Sequence, residues 1–166
     1  MKNHKKIKPL KIYKVNKNYI RYLRESDSSI FLDTGSRVYI GIIIKINNLD
    51  YFAPLSSFKE KHSRMSQSLD LIKIKKYAVI NLNNMIPVTK NNYKLFDIKN
   101  VKNKNYKNLL QREVREINRI RQKIIKNAIT IYNHKNKNQT TPLALRCHNF
   151  KKLEVLAKQY KNSQGI

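Results

Sequence analysis

The chain has 166 residues and carries 36 Lys plus Arg against ten Asp plus Glu, a formal net charge of +26. That length suits one domain with a real core and is too short to expect two. Codon bias toward Lys, Asn and Ile would supply acids as well, so it does not explain their scarcity; a like-charge excess of this size costs compactness and is most readily offset by a polyanion, which makes nucleic acid the expected partner class. Nothing approaches the roughly 18 apolar residues of a membrane span, and no apolar core of signal-peptide length opens the chain. A cytoplasmic protein is expected, with no membrane association. The single Cys147 can form no intramolecular disulfide and reads as a small buried thiol.

In chain order, residues 1–11 look like a loose basic arm, and 12–166 a single domain. Ile12-Tyr13-Lys14-Val15 alternates as a first strand. Asn16 or Asn18 then offers a cap to a short helix that places Tyr19, Tyr22 and Leu23 on one face. Val38 to Ile46 and Tyr51-Phe52-Ala53 form a β-hairpin around a four-residue connection, Asn47 to Asp50. Pro54 should end the second strand or lie on an edge, since it has no ladder donor. Ser56, Ser57, Lys59 and His62 then emerge at the rim of a sheet, a position that commonly carries function. Two further strands are expected over 69–74 and 77–82, and an edge segment over Met85 to Val88. From about Asn105 to Tyr132 the period changes: Leu110, Val114, Ile117, Ile120, Ile124, Ala128 and Ile131 recur at three or four, the apolar face of one long helix. Its other face carries Arg112, Arg115, Arg119, Arg121, Lys123 and Lys126, which together read as a phosphate-tracking surface. A last helix over Phe150 to Tyr160 turns Leu153, Leu156 and Ala157 inward.

Several chemistries are excluded by what is missing. The ten acids are scattered and do not group as a two-metal nuclease requires. His4, His62, His134 and His148 lack zinc spacing with one another or with Cys147, and three glycines cannot build a phosphate-cradling loop. No cofactor and no metal is expected. RNA cleavage through the substrate's own 2′-hydroxyl remains open, because the protein then supplies only proton transfer and stabilisation of charge on the phosphate.

Four blocks fall in a telling order: Tyr19-Ile20-Arg21-Tyr22-Leu23, Tyr39-Ile40-Gly41-Ile42, Phe52-Ala53-Pro54-Leu55-Ser56-Ser57-Phe58-Lys59, and Ile80-Asn81-Leu82-Asn83-Asn84-Met85-Ile86-Pro87. The chain so resembles, over roughly Ile12 to Tyr160, the toxins of type III toxin–antitoxin systems, the ToxN, AbiQ and CptN endoribonucleases. The resemblance implies an α+β fold, a compact domain with a strongly twisted antiparallel β core, similar to MazF and Kid, surrounded by helices. It implies metal-independent cleavage of A-rich RNA to 2′,3′-cyclic phosphate and 5′-hydroxyl ends. The implied partner is a small pseudoknotted RNA antitoxin, cut by the toxin from a repeat transcript and held in closed, triangular three-plus-three assemblies. The implied role is abortive infection of phage.

By position, the resemblance assigns the family's paired active-site hydroxyls to Ser56 and Ser57, its catalytic-loop lysine to Lys59, its N-terminal helix tyrosine to Tyr19 and a basic phosphate clamp to Arg37. Phe58 stands where a relative has Pro. Ser57 would donate to a phosphate oxygen or align the 2′-hydroxyl, and Lys59 would neutralise the transition-state phosphate or act as base. His62, the one imidazole near the loop, is a candidate acid. RNA contacts are expected from Arg37, Tyr39, Arg112, Arg115, Arg119 and Lys123. Two alternatives share the same charge and tyrosines: a non-catalytic basic RNA-binding protein, and a MazF-like RNase with a protein antitoxin.

Overall fold

A computed structural model describes residues 7–31 and 39–160, and Arg37 lies outside the described residues. At the centre is a hairpin of β2 (Ile40–Ile46) and β3 (Leu49–Ser57), paired from Gly41↔Pro54 to Ile46↔Leu49. Its connection is two residues rather than the expected four. Asn47 and Asn48 take φ of 50° and 65°, the type I′ geometry that Asn tolerates and that matches strand twist, so Leu49 and Asp50 are already in the ladder.

β1 (Ile12–Val15) pairs with β2 on one side and with β7 (Tyr93–Leu95) on the other, and β3 carries β5 (Ala78–Asn81), which carries β4 (Leu71–Ile74). The result is a seven-stranded sheet in which every pairing is antiparallel, with β6 (Ile86–Val88) joined to β3 as a side branch. β3 runs through Pro54 instead of ending there. Along the edge facing away from β2, residues 50–52 pair with β6 and residues 55–57 with β5. Pro54 sits in the gap between these ladders, where a missing N–H is tolerated.

Alternation along β2 and β3 sorts the core into two layers. Ile42, Ile44, Ile46, Tyr51 and Ala53 pack against α3 (Lys104–Arg119) and α4 (Arg121–Lys137) through Ile117, Ile124, Ala128 and Ile131. On the opposite face Phe52 packs with Tyr19, Ile20 and Leu23 of α1 (Lys17–Arg24) and with Leu153 and Ala157 of the last helix, Phe150–Gln159. The expected cap is present, with Asn16 accepting the N–H groups of Asn18 and Tyr19.

The single long helix expected over 105–132 is instead the pair α3 and α4, broken at Ile120 (φ −111°, ψ 17°). The apolar period runs straight across the break, which is why the sequence conceals it. Arg121 folds back to donate to the Asn118 carbonyl at 2.8 Å, the acceptor that the Gln122 N–H would use in a continuous helix. Asn118 is itself occupied: its amide clasps the backbone of Leu10, accepting the Leu10 N–H at 2.7 Å and donating to the Leu10 carbonyl at 2.9 Å. Leu10, grouped with the basic arm by sequence, is buried in the α3–α4 layer.

One glycine is dictated by packing. A Cβ at Gly41 would lie 2.7 Å from the Phe52 ring and closer still to the Ala53 carbonyl oxygen. Gly41→Ala should therefore destabilise the fold by about 3 kcal/mol, a fall in melting temperature of about 6–12 °C. Thermal unfolding checks this, and an unchanged melting temperature would contradict the placement of Phe52 over Gly41.

Candidate active site

The rim is built by the end of β3. Leu55, Ser56 and Ser57 pair with Ile80, Val79 and Ala78, and the ladder continues one step further through the Phe58 N–H to the Tyr77 carbonyl, at 3.4 Å. Lys59 keeps an extended backbone (φ −119°, ψ 160°) and caps α2 (Glu60–Arg64). Alternation through this extended run sends Ser57 and Lys59 to one side and Ser56 and Phe58 to the other. The two serines read from sequence as one pair thus divide between the two sides of the strand.

On the first side, Ser57 follows Leu55, with Ile74 and Ala78 of the α3–α4 layer across the sheet. Both Ser57 and Lys59 are exposed. On the second side, the Ser56 hydroxyl accepts from the Asn81 side-chain amide at 3.1 Å. The His62 ring packs on Phe58 with centroids 5.5 Å apart. His62 Nδ1 accepts the Lys59 backbone N–H at 2.8 Å, so the neutral ring carries its proton on Nε2. Burial pushes the His62 imidazole below its ordinary value, and the charges of Lys61, Lys59 and Lys73 add to that push. It is therefore largely neutral at physiological pH, a donor through Nε2 and a poor reservoir of positive charge.

The remaining sequence candidates divide sharply. Tyr19 is not at the rim: it is fully buried in α1, its hydroxyl donates to the Pro87 carbonyl at 2.6 Å, and burial holds its phenol far above the usual range. The three- and four-residue spacing of Tyr19, Tyr22 and Leu23 is the spacing of a core contact, and the site role of Tyr19 comes only from the resemblance. Tyr39 is also buried, wedged between Phe31 and Phe52 at 5.0 Å from each, with its phenol raised by burial. The basic face expected on one helix is spread across the α3–α4 break, and part of it is already engaged. Arg119 pairs with Glu116, and Lys123 donates to Gln67 at 3.1 Å. Arg112 and Arg115 are exposed on α3. Among the described residues no three His, Cys, Asp or Glu side chains gather as metal ligands, and no helix is long and apolar enough to cross a membrane.

Glu113 is the residue that sequence reasoning passed over. Other buried acids have partners: Asp70 takes a bidentate pair of bonds from Arg146 at 3.0 and 3.1 Å, Glu116 meets Lys75 and Arg119, and Glu154 accepts the hydroxyls of Tyr51 and Tyr132. Glu113 is only 4 % exposed, and burial alone pushes its carboxyl up to about 7. It sits on α3 between Leu110, clustered with Leu55, and Ile117, clustered with Ile74 and Ala78. One turn on, Glu116 reaches Lys75 at 3.3 Å, in the turn between β4 and β5. Glu113 therefore lies on the side of the sheet to which Ser57 and Lys59 project. The signal was available in the sequence, because an acid three residues from Leu110 and four from Ile117 stands on the apolar stripe itself.

The family described as Toxin ToxN, type III toxin-antitoxin system, matches residues 11–158. The chain belongs to that family. It is 32% identical over 164 residues to the endoribonuclease ToxN of Bacillus thuringiensis subsp. kurstaki, covering 91% of this chain and 84% of the relative. Two solved structures share the fold. One, from work on selective inhibition of a type III toxin by a non-coding RNA pseudoknot, superposes with a TM-score of 0.82 at 27% identity and covers 93% of this chain and 99% of that one. The other, from work on a processed non-coding RNA that regulates a bacterial antiviral system, has a TM-score of 0.78 at 25% identity and covers 92% and 99%. The ToxN match takes in the whole rim, from Ser56 to His62, together with Glu113.

Proposed function

We propose that this ToxN-family chain is an endoribonuclease toxin that cuts RNA through the substrate's 2′-hydroxyl. The observation that carries the reading is a match along nearly the whole chain to a relative named an endoribonuclease, with hydroxyls and an ammonium at the exposed end of a rigid strand. The net charge of +26 supports an RNA substrate. In the reaction the 2′-oxygen forms a bond to phosphorus as the bond from phosphorus to the 5′-oxygen breaks. The 2′-hydroxyl proton passes to a base and a proton is delivered to the leaving oxygen, so the products are a 2′,3′-cyclic phosphate and a 5′-hydroxyl. Ser57 and Lys59, projecting together, bind the non-bridging oxygens as their charge grows. Glu113, buried in the layer on the same side with its carboxyl held near neutrality, is assigned the proton transfer, a role that requires the packing around it to open onto the rim.

The rest of the reading follows from the family. The cleavage is metal-independent and selective for A-rich RNA. The toxin is silenced by a pseudoknot RNA that it processes from a repeat transcript, in a closed three-plus-three assembly. The system serves abortive infection of phage, and the protein acts in the cytoplasm. The inhibition by an RNA pseudoknot and the processed antiviral RNA described for the two structural neighbours support this course. Exposed Arg112 and Arg115 are contacts for the RNA backbone.

The test is incubation with A-rich RNA in excess EDTA, followed by analysis of fragment ends. Cyclic phosphate and 5′-hydroxyl ends are expected. Tight binding with the RNA left intact would replace this reading with a non-catalytic RNA-binding protein.

A further inference from the structure

An aromatic ladder that starts in β3 ends on an exposed ring. Phe52 in β3 reaches over Gly41, whose missing Cβ leaves room for it, and its ring meets Tyr39 at 5.0 Å; Tyr39 meets Phe31, again at 5.0 Å. Phe52 and Tyr39 are buried, whereas Phe31 is 55% exposed, more than any other aromatic residue among the described ones. A single exposed apolar side chain ordinarily requires no explanation. Phe31 differs in being buttressed by Tyr39, which itself rests on Phe52, and in being tethered through its neighbour. Ile30 is fully buried, its carbonyl accepts from the Arg24 guanidinium, and its N–H donates to the Asp27 carbonyl at 3.2 Å.

Position supplies the second half of the argument. Ser56 lies four residues beyond Phe52 on β3 and so on the same face, and Tyr39, just before β2, packs on that face through its contact with Phe52. The ladder therefore delivers an exposed π-face to the side of β3 that carries the Ser56 hydroxyl and the Asn81 amide. A hydrophobic protein partner would call for a contiguous apolar patch. An isolated, supported ring on a chain of net charge +26 suits a nucleobase, which stacks on an aromatic face while cations elsewhere on the chain hold the phosphates.

We propose that Phe31 is the platform on which one unstacked base of the bound RNA rests, on the face of β3 opposite Ser57 and Lys59, held in place by Tyr39, which rests on Phe52. The proposal rests on the ribonuclease reading above and adds the residue that captures the base. Stacking is made in the ground state as well as in the transition state, so its loss appears in KM more than in kcat.

The experiment compares wild type, Phe31→Ala, Phe31→Leu and Phe31→Trp on a single-stranded A-rich RNA oligonucleotide. Phe31→Ala and Phe31→Leu should raise KM about 10-fold or more with kcat within about 3-fold, and Phe31→Trp should restore KM. Leu keeps the apolar volume, so the test survives if Ala disturbs the loop. In a second arm the oligonucleotide carries a 2′-deoxy sugar at the cleavage position and 2-aminopurine at each nearby position in turn, read at the position that wild type quenches most. The 2-aminopurine fluorescence should be quenched on binding wild type and Phe31→Trp, but not Phe31→Leu. A wild-type KM in Phe31→Leu, or equal quenching by it, overturns the platform while leaving the ribonuclease reading standing. Failure of wild type to cut the RNA overturns the ribonuclease reading itself, and the platform with it.

Discussion

Alanine in place of Ser57 or Lys59 should slow RNA cleavage by about 10²-fold or more, while RNA affinity and melting temperature stay near those of the wild type. Both side chains are exposed at a strand end, so their removal leaves no cavity and unpairs no ladder. With so many other cations on the surface, one ammonium contributes little to overall binding. What they supply is local. They project to the same side of β3 and would meet a phosphate whose non-bridging oxygens gain charge only as the bond to the 2′-oxygen forms. Stabilisation confined to that stage appears in kcat rather than KM. Because the two act on one phosphate, the double variant should lose less than the product of the two single losses. Ser56→Ala is the informative control. Its hydroxyl lies across the strand and already accepts from Asn81, so its loss should be smaller and should multiply with that of Ser57. Single-turnover rates on a common RNA decide the matter. If Ser57→Ala and Lys59→Ala both cut as fast as wild type, the reacting phosphate is not bound on that side of the strand.

How far these assignments were legible in the sequence depends on which interaction sets each feature. The cores of β1, β2, β4, β5 and β6, the Asn16 cap and the inward faces of α3, α4 and the last helix follow from period and local hydrogen bonding and stand where periodicity puts them, whereas β7, three residues long and paired only with β1, carries no period long enough to read. The break at Ile120 does not, because it is made by Arg121 and by the clasp of Asn118 on Leu10, more than a hundred residues away in sequence. Period alone also cannot say whether Tyr19 faces a substrate or the core. The hydrogen bond to Pro87 decides that, and it depends on β6 docking beside β3. The division of Ser56 from Ser57 was, by contrast, legible once the strand was known to run through Pro54. A proline that seemed to end the strand hid the alternation. Glu113 shows the opposite error. An acid on an apolar stripe was counted among scattered carboxylates, although an uncompensated buried carboxyl is the kind of anomaly that marks a working group.

Glu113→Gln should move stability and activity in opposite directions. The carboxyl is held by burial at about 7, well above the ordinary value of 4.5. Between those two values the folded protein keeps a proton that the unfolded chain has released. The stabilising contribution of the protonated form is thus complete below the unfolded pKa and is lost as pH rises through about 7. The loss sums to roughly 3 kcal/mol. His62 and His148, both lowered chiefly by burial, act in the contrary sense, favouring the folded state as pH rises through the range below their ordinary 6.5. The wild-type curve alone is therefore mixed. The difference between wild type and Glu113→Gln isolates the carboxyl, because the amide fills the same space and does not titrate. The two proteins should melt together near pH 4, and the variant should be the more stable above pH 7. Cleavage at neutral pH should fall by about 10²-fold if the carboxyl moves a proton in the reaction, and the limb of the wild-type rate profile near pH 7 should vanish. Parallel melting and rate profiles from pH 4 to 9 separate the possibilities. Greater stability with an unchanged rate would leave Glu113 a buried acid without a part in the chemistry. No stability gain above pH 7 would mean that the carboxyl finds a partner which the static arrangement does not reveal.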